Sequence, residues 1–416
     1  MTCLTIIPKG KEVYAMKKQI GVIFGSRSCE REVSIISAVQ LMRFADREKY
    51  DIIPVYIDEH GTWYTGDALK DIQSFKPFRP DAKGIRKVWP DLTSGSGALL
   101  CTKKESGLFT REKTEIAARI DVYIIVMHGM NGEDGTLQGL MELANIPYTS
   151  TGVTGSGVGM DKIIMKQFFL GAGLPVLPGK WYTRKEFAAD SEKVISEVAG
   201  DTGFPVFVKP ANLGSSIGVS RADNGQELKD ALELAFEYDR RALVEKGLDK
   251  PIELNCSVLG YDDDIAASPI EMPLNHDEFL DFRDKYLGGG GSKGMASLSR
   301  VLPAPIEDDL KKEIQEMSKK IFRMMDCKGV VRIDYMFDRA TEKLYITEIN
   351  TIPGSLAFYL WENDGMPYRE LIDRMISCAE KAHADKNRAN YAYTSDILKN
   401  ATFGAKGAKG AKGTKA

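Results

Sequence analysis

The chain has 416 residues, a formal net charge of −3, 43% hydrophobic and 28% charged residues. That length allows two to four soluble domains with real cores, and the slight acidity argues against a nucleic-acid binder, which shows a basic excess. The six cysteines (Cys3, Cys29, Cys101, Cys256, Cys327, Cys378) contain no C-x-x-C pair, which speaks against a disulfide framework or a zinc site and fits a reducing cytoplasm. No apolar run approaches the ~18 residues of a membrane span, and Pro8 cuts short the only early apolar stretch, so no signal-peptide core is expected.

Residues 1–17 form an unpatterned extension. Ile20 to Phe24 reads as a buried strand, Gly25 to Ser28 as a turn, and Glu30 to Leu41 as a helix. Glu30 falls in the first turn of that helix. There it either complements the helix dipole or aims a carboxylate from a strand–helix junction at a cationic ligand group, the usual place for ligands in an open α/β sheet. Ile52 to Ile57 is the next strand. Residues 75–116, with Pro77, Pro80, Pro90 and Ser94-Gly-Ser-Gly97, read as loops or a small excursion.

Asp121 to Met127 is another buried strand, and it runs into His128-Gly-Met-Asn-Gly-Glu-Asp-Gly135. A His that closes a strand and opens a Gly-rich acidic loop sits where binding groups tend to lie, although a lone His is more often structural. Helix 136–144 follows, and Ser150-Thr-Gly152 marks a domain boundary. Lys162 and Lys166 share one face of the helix 161–170, as charged residues on a solvated face also would.

Phe204 to Pro210 is a strand ending in Lys209, followed by Ala211-Asn-Leu-Gly-Ser215-Ser216-Ile-Gly-Val219 and a second strand. Backbone N–H groups, hydroxyls and a lysine in this order make a phosphate cradle; a tight hairpin turn is the plainer alternative. After the helix 225–238 comes the strand 242–246. A hinge-like linker, Gly247 to Pro251, lies between Glu245 and Glu253. Those two carboxylates suit the amine and hydroxyls of a nucleoside, or else lie on the surface. Phe279 to Ser292, with four consecutive glycines, reads as a mobile lid or a flexible connector.

The amphipathic helix 307–325 feeds the most informative stretch, residues 327–361. Two β-branched runs flank the polar turn Asp338 to Lys343 and read as a hairpin. Arg332 and Asp334 share a face of the first strand, and Glu348 and Asn350 share a face of the second. Folding about residue 340 or 341 brings these oxygen ligands together beside one guanidinium. That set suits Mg²⁺, which takes one or two carboxylates plus phosphate oxygens; a solvated polar face on an ordinary hairpin has the same pattern. Helix 367–385 closes the fold, and residues 387–416, which end in Gly-Ala-Lys repeats from Gly404, read as a disordered tail.

Glu30-Arg-Glu-Val-Ser, His128-Gly-x-x-Gly-Glu-Asp-Gly-x-x-Gln138-Gly, Met160-Asp-Lys162, Val208-Lys-Pro-x-x-x-Gly-Ser-Ser216, Lys285-Tyr286, Arg332-Ile-Asp334 and Glu348-x-Asn-Thr-x-Pro-Gly354 occur in that order. Over about residues 18–385 the chain resembles the D-alanine–D-alanine ligases of the ATP-grasp family. The resemblance implies three α/β domains: a parallel-sheet substrate domain (18–150), and central (151–248) and C-terminal (249–386) ATP-grasp domains that hold ATP between them. It implies a soluble, homodimeric enzyme joining two D-alanines through an acyl phosphate. Asp334, Glu348 and Asn350 would be ligands of Mg²⁺ or Mn²⁺. Lys162, Lys209, Ser215 and Ser216 would hold the phosphates, and Glu245, Lys246, Leu248 and Glu253 the adenosine.

By the same resemblance, Arg332 would stabilise the oxyanion, Glu30 with nearby His128 would bind the first D-alanine, and Ser215 and Tyr286 would link Glu30, the phosphate loop and the lid. The Lys285-Tyr286 pair favours an amine acceptor over lactate. One departure stands out. Ser355-Leu-Ala-Phe-Tyr359-Leu-Trp361 follows Gly354, with no Ser at the offset where the family binds the second carboxylate. Ser355, Tyr359 or the Gly354 backbone would have to serve instead, which leaves D-serine or another second amino acid as an alternative substrate. A nucleotide-binding protein without catalysis is the alternative of a different class.

Overall fold

The computed structural model describes residues 17–105, 111–274 and 300–390. The expected lid with Lys285 and Tyr286, residues 1–16 and the tail from 391 lie outside those residues. Strand β1 (Lys18–Gly25) leads into helix α1 (Arg31–Phe44), then β2 (Tyr50–Ile57) and β3 (Trp63–Thr65). Next come β4 (Arg86–Pro90), β5 (Ala98–Glu105), β6 (Arg111–Arg119) and β7 (Val122–Val126). These strands make one seven-stranded sheet in the order β6-β5-β4-β3-β2-β1-β7. Only β2, β1 and β7 run parallel, and their continuous Val/Ile runs are buried on both faces, as a covered parallel sheet requires.

The stretch 75–116, expected to be loops or a small excursion, supplies most of an antiparallel wing, β4 to β6. Its strands are rich in lysine, arginine and glutamate, which keep an exposed edge from pairing with another chain. In the sequence that same charge hides the strand signal.

Helices α2 (Thr136–Ala144), α3 (Val153–Met160) and α4 (Lys162–Gly171) precede a second sheet. It contains β8 (Gly179–Thr183), the helices α5 (Arg184–Ala189) and α6 (Ser191–Asp201), β9 (Val206–Pro210), β10 (Ser220–Ala222), α7 (Gly225–Tyr238) and β11 (Arg241–Lys246). Its strand order is β10-β9-β11-β8, all antiparallel. Asn224 caps α7 by accepting from the N–H groups of Gln226 and Glu227, and Asp161 caps α4 in the same way.

The third sheet begins with β12 (Ile252–Tyr261) and β13 (Asp264–Ala267). A short ribbon, β14 (Met272–Pro273) with β15 (Arg300–Val301), and helix α8 (Asp308–Met324) lead to the hairpin β16 (Lys328–Asp338) and β17 (Lys343–Asn350). Helices α9 (Phe358–Asn363) and α10 (Tyr368–Lys386) end the described chain, and the sheet order is β13-β12-β16-β17.

The cores do not follow the sequence order. Trp361, Tyr368, Leu371, Ile372 and Met375 pack into the same cluster as β1, β2 and β7. Met165 and Phe169 of α4 join the core under the third sheet. The first and last segments are thereby fastened together, and the hairpin is held against the strand–helix junction of Glu30.

Candidate functional site

The hairpin forms one wall. Asp334 lies opposite Glu348 and Arg332 opposite Asn350, but nearer the turn the register shifts so that Tyr335 faces Ile346. Thr347 is therefore an extra residue in β17, and its hydroxyl donates to the Asp334 carbonyl at 2.9 Å. Without this bulge Asp334 would face Thr347, and Glu348 would turn to the other side of the sheet. The bulge is what pairs the two carboxylates.

Arg332 forks onto Asp334, Nε to Oδ1 and Nη2 to Oδ2, both at 2.6 Å, and the Asn350 amide donates to Asp334 Oδ2 at 3.0 Å. Burial pushes the Asp334 carboxyl up to about 6, with the Glu348 charge adding to the rise and Arg332 only partly opposing it. A carboxylate whose proton affinity is raised by the charge of the one opposite it forms with it a pair that a hard cation would stabilise. Among the described residues no three His, Cys, Asp or Glu side chains cluster as metal ligands. The set expected from sequence is two carboxylates and one amide, which fits a cation whose other ligands come from phosphate and water.

Opposite stand the lysines. Lys162, first residue of α4, lies 3.4 Å from Glu348 Oε2 and donates to the Leu213 carbonyl of the Gly/Ser loop at 2.8 Å. Lys209, near the end of β9, pairs with Glu245 Oε2 at 2.7 Å, and Lys166 pairs with the other oxygen of that carboxylate. Burial disfavours the Lys209 charge, yet Glu245 and Glu348 carry its pKa above the ordinary value. At Lys166 burial wins and the pKa falls. Glu253 also adds to the field at Lys209. Ser215 and Ser216 both take left-handed backbone, which folds the loop back on itself. The Lys246 ammonium turns away from this cluster to the carbonyls of Gly203 and Phe204, and Leu248 is half-buried on the linker.

Glu30 is the cap residue preceding α1, not a residue of its first turn. Its carboxylate makes no helix cap. Instead the Ser215 hydroxyl donates to Glu30 Oε1 across the gap between the first two sheets. Gly129 and Gly214 make this approach feasible, since a Cβ on either would come within 2.4 and 2.8 Å of Glu30 Oε2.

His128 is 3% exposed. Nδ1 lies 2.9 Å from the Ile352 carbonyl and Nε2 3.1 Å from the Ser37 hydroxyl. A carbonyl only accepts, so Nδ1 carries the proton and Nε2 accepts from Ser37; Ser37 Oγ in turn accepts the Ser355 N–H at 3.1 Å. This neutral histidine fastens α1 to the turn after β17. Burial lowers its pKa to about 4. Its folded value lies below the ordinary 6.5, so the unfolded chain takes up the proton first as pH falls. The stabilising contribution is complete above about pH 6.5 and is lost towards pH 4, amounting to about 3 kcal/mol. Chemical unfolding at a series of pH values should show the stability gap between wild type and His128→Gln shrinking across that window; a flat gap would contradict a buried neutral imidazole.

Glu133 is a site residue that the sequence reading quoted only as part of a motif. It accepts the N–H of Gly129 at 2.8 Å and of Ile352 at 2.9 Å. Burial and then the Glu30 charge push its pKa up to about 8 despite those two donors. Lys166 was likewise visible only as a neighbour of Lys162. Ser37, Glu271 and Arg300 carried no sequence signal, being single polar residues whose partners are remote in the chain.

The turn after Gly354 departs from the family pattern. Ser355, Leu356 and Ala357 are consecutive left-handed residues, all buried, at a cost of about 1–2 kcal/mol each. Packing and the Ser355 N–H bond to Ser37 hold them there. Ser355 is 1% exposed, whereas Tyr359 on α9 faces polar groups. Its hydroxyl donates to Glu271 Oε2 at 3.3 Å, and the Arg300 guanidinium lies 3.8 Å over its ring.

Two antiparallel sheets thus bring buried lysines and paired carboxylates face to face, and the first sheet, with its parallel centre, presents a carboxylate at a strand–helix junction. This is the architecture of an ATP-grasp carboxylate–amine ligase. The chain belongs to the D-alanine–D-alanine ligase family. The family model "D-ala D-ala ligase N-terminus" matches residues 19–151, and "D-ala D-ala ligase C-terminus" matches residues 168–377. A D-alanine–D-alanine ligase of Thermosipho africanus is 36% identical over 379 residues, covering 91% of this chain and 98% of the relative. One from Heliobacterium modesticaldum is 40% identical over 378 residues, covering 90% and 97%. Among solved structures, the Coxiella burnetii D-alanine–D-alanine ligase is 27% identical with a TM-score of 0.73, covering 90% of this chain and 97% of its own. The VanG D-Ala:D-Ser ligase of Enterococcus faecalis is 29% identical with a TM-score of 0.72, covering 88% of this chain and 100% of its own.

Proposed function

We propose that the protein joins two D-alanines into D-alanyl-D-alanine with cleavage of ATP to ADP and phosphate, for peptidoglycan precursor synthesis. The observation that carries this reading is the meeting of Ser215 on the phosphate loop with Glu30 at the strand–helix junction, because it sets an amino-acid anchor beside a phosphate cradle. A carboxylate is a poor electrophile. Its oxygen first takes the γ-phosphoryl group, and the amine of the second amino acid then attacks the acyl phosphate and expels phosphate. Phosphoryl transfer depends mainly on positioning and charge neutralisation. Lys162 and Lys209 supply cations to the phosphates, Glu30 holds the first ammonium with His128 fixing the wall behind it, and the 245–253 linker receives the adenosine. Asp334, Glu348 and Asn350 would hold Mg²⁺, which would supply positive charge against the phosphates.

Arg332, clamped by Asp334, presents a guanidinium to the oxyanion of the tetrahedral intermediate. Arg332→Met should lower kcat by about 10²–10³-fold, the usual cost of one oxyanion donor. The same change strips Asp334 of its counter-ion and costs about 3–5 kcal/mol of stability, so kcat is to be read at a temperature where circular dichroism shows the variant folded. A kcat within a few-fold of wild type would remove Arg332 from the reaction.

The reading includes a cytoplasmic, homodimeric enzyme. No helix of the described residues is long and apolar enough to cross a membrane, and the five cysteines Cys29, Cys101, Cys256, Cys327 and Cys378 are free. A ligase taking a different second amino acid, such as D-serine, is the alternative that the altered turn 355–361 favours. ADP release across a panel of D- and L-amino acids, with products identified by mass, separates the two; absence of ADP formation with D-alanine would overturn the main reading.

A further inference from the structure

The polar row of the third sheet does not end at the carboxylate pair. Glu348 on β17 pairs with Asp334 on β16, Asp334 with Asn255 on β12, and Asn255 with Glu271 at the start of the short ribbon. Residues directly opposite in an antiparallel pair point to the same face, so all four look towards the reaction. Glu271 is 3% exposed. It accepts the Asn255 amide at 3.1 Å, the Tyr359 hydroxyl at 3.3 Å and Arg300 Nη1 at 2.7 Å. Arg300 rests on the Tyr359 ring, and the Glu271 charge also reaches Arg332.

The cations of the site are thus divided. Lys162 and Lys209 lie on the Glu348 and Glu245 side, Arg332 is forked by Asp334, and Arg300 stands on Glu271 at the far end of the row. An amino acid that attacks the acyl carbon with a neutral amine brings one remaining charge, its carboxylate. That charge has to be met beside Arg332 and away from the phosphates. A guanidinium has five N–H donors in a planar fork matched to a carboxylate, enough to hold Glu271 and a second carboxylate together. Keeping a buried Arg–Glu pair for stability alone brings little, since apolar replacements are commonly as stable.

We propose that Arg300, seated on Tyr359 and oriented by Glu271, is a specificity-determining residue that receives the carboxylate of the second amino acid. This inference rests on the ligase reading above. The full-length enzyme is assayed with ATP, D-alanine as first amino acid, and either D-alanine or D-alaninamide, which lacks the carboxylate, as acceptor. Products are resolved by mass. Wild type should prefer D-alanine by about 10–100-fold in kcat/KM, the worth of one charge-assisted hydrogen bond. In Arg300→Met the KM for the second amino acid should rise by about the same factor. The KM for ATP and for the first D-alanine should hold, and the preference over D-alaninamide should collapse to a few-fold.

Equal losses with both acceptors, or a preference kept intact, would make Arg300 merely structural and overturn the proposal. If Arg300→Met fails to bind ATP, Arg300→Lys decides. It keeps the charge and loses the fork, so intermediate discrimination supports the assignment and wild-type discrimination refutes it. Wild type making no dipeptide from D-alanine would instead strike the ligase reading, and this inference with it.

Discussion

Glu348→Gln is expected to lower turnover by at least about 10³-fold while leaving the protein folded. Charge stabilisation of the transferring phosphoryl group is worth that much in related chemistry, and three features of the site converge on this one side chain. Glu348 is the more open of the paired carboxylates, 34% exposed, and Lys162 Nζ lies 3.4 Å from it. Its charge also reaches Asp334, Glu133 and Lys209. Removing it therefore relieves repulsion at Asp334 and Glu133, so no loss of stability is expected from those neighbours. A ligand that is useful and locally repulsive gives a separable result: thermal stability unchanged or raised, Mg²⁺ requirement shifted to higher concentration, and ADP release nearly abolished. Retention of turnover within ten-fold would show that the cation is held elsewhere.

The chemistry of the third sheet was legible in the sequence because it rests on period-two alternation within a single hairpin. Arg332, Asp334, Glu348 and Asn350 could be placed on one face from spacing alone. Of the two pivots considered, residue 341 is the one the site follows, with Asp334 opposite Glu348 and Arg332 opposite Asn350; on the turn side of Thr347 the pairing runs about the midpoint between residues 340 and 341. What spacing could not supply was the reason for the change, a bulge that depends on pairing. Glu30, Ser215 and Lys209 were legible as motif members, but their meeting is a tertiary fact. Ser215 reaches a residue 185 positions away, and no local pattern encodes such a contact.

Elsewhere the physics worked against reading. The charged strands β4 to β6 look like solvated loop because their lysine, arginine and glutamate side chains meet the same solvent as a loop does, and β6 is the edge strand. Lys166 shares its helix face with Lys162, and only the position of β11 shows that this face is buried. The Glu271–Arg300–Tyr359 group is assembled from three separate segments, each contributing one residue. Conversely, His128 is where the sequence suggests a binding group, and its ring proves to be taken up by Ser37 and Ile352. Its part in the site is to fix the wall.

A loss of stability as large as that of Arg332→Met should come from Glu245→Gln. This carboxylate is 1% exposed and is the shared counter-ion of two buried lysines, Lys166 and Lys209. Burial opposes its charge, and the two lysines outweigh that and hold its pKa below the ordinary value. Removing one member of a buried charge cluster costs about 3–5 kcal/mol, because the partners stay buried and unpaired. For a domain stable by about 5–15 kcal/mol this is a large share. Without Glu245, burial dominates at Lys209 as it already does at Lys166, so both lysines tend towards the neutral form and the cradle loses the charge that phosphate needs. The variant should therefore melt at a lower temperature and bind ATP more weakly. Saturating ATP should restore part of the loss, because the triphosphate brings negative charge back to Lys209 and ligand binding stabilises the folded state by mass action. Thermal melts with and without ATP measure both effects. A stability loss below about 1 kcal/mol would mean that water already reaches the cluster and that the lysines do not depend on Glu245 for their charge.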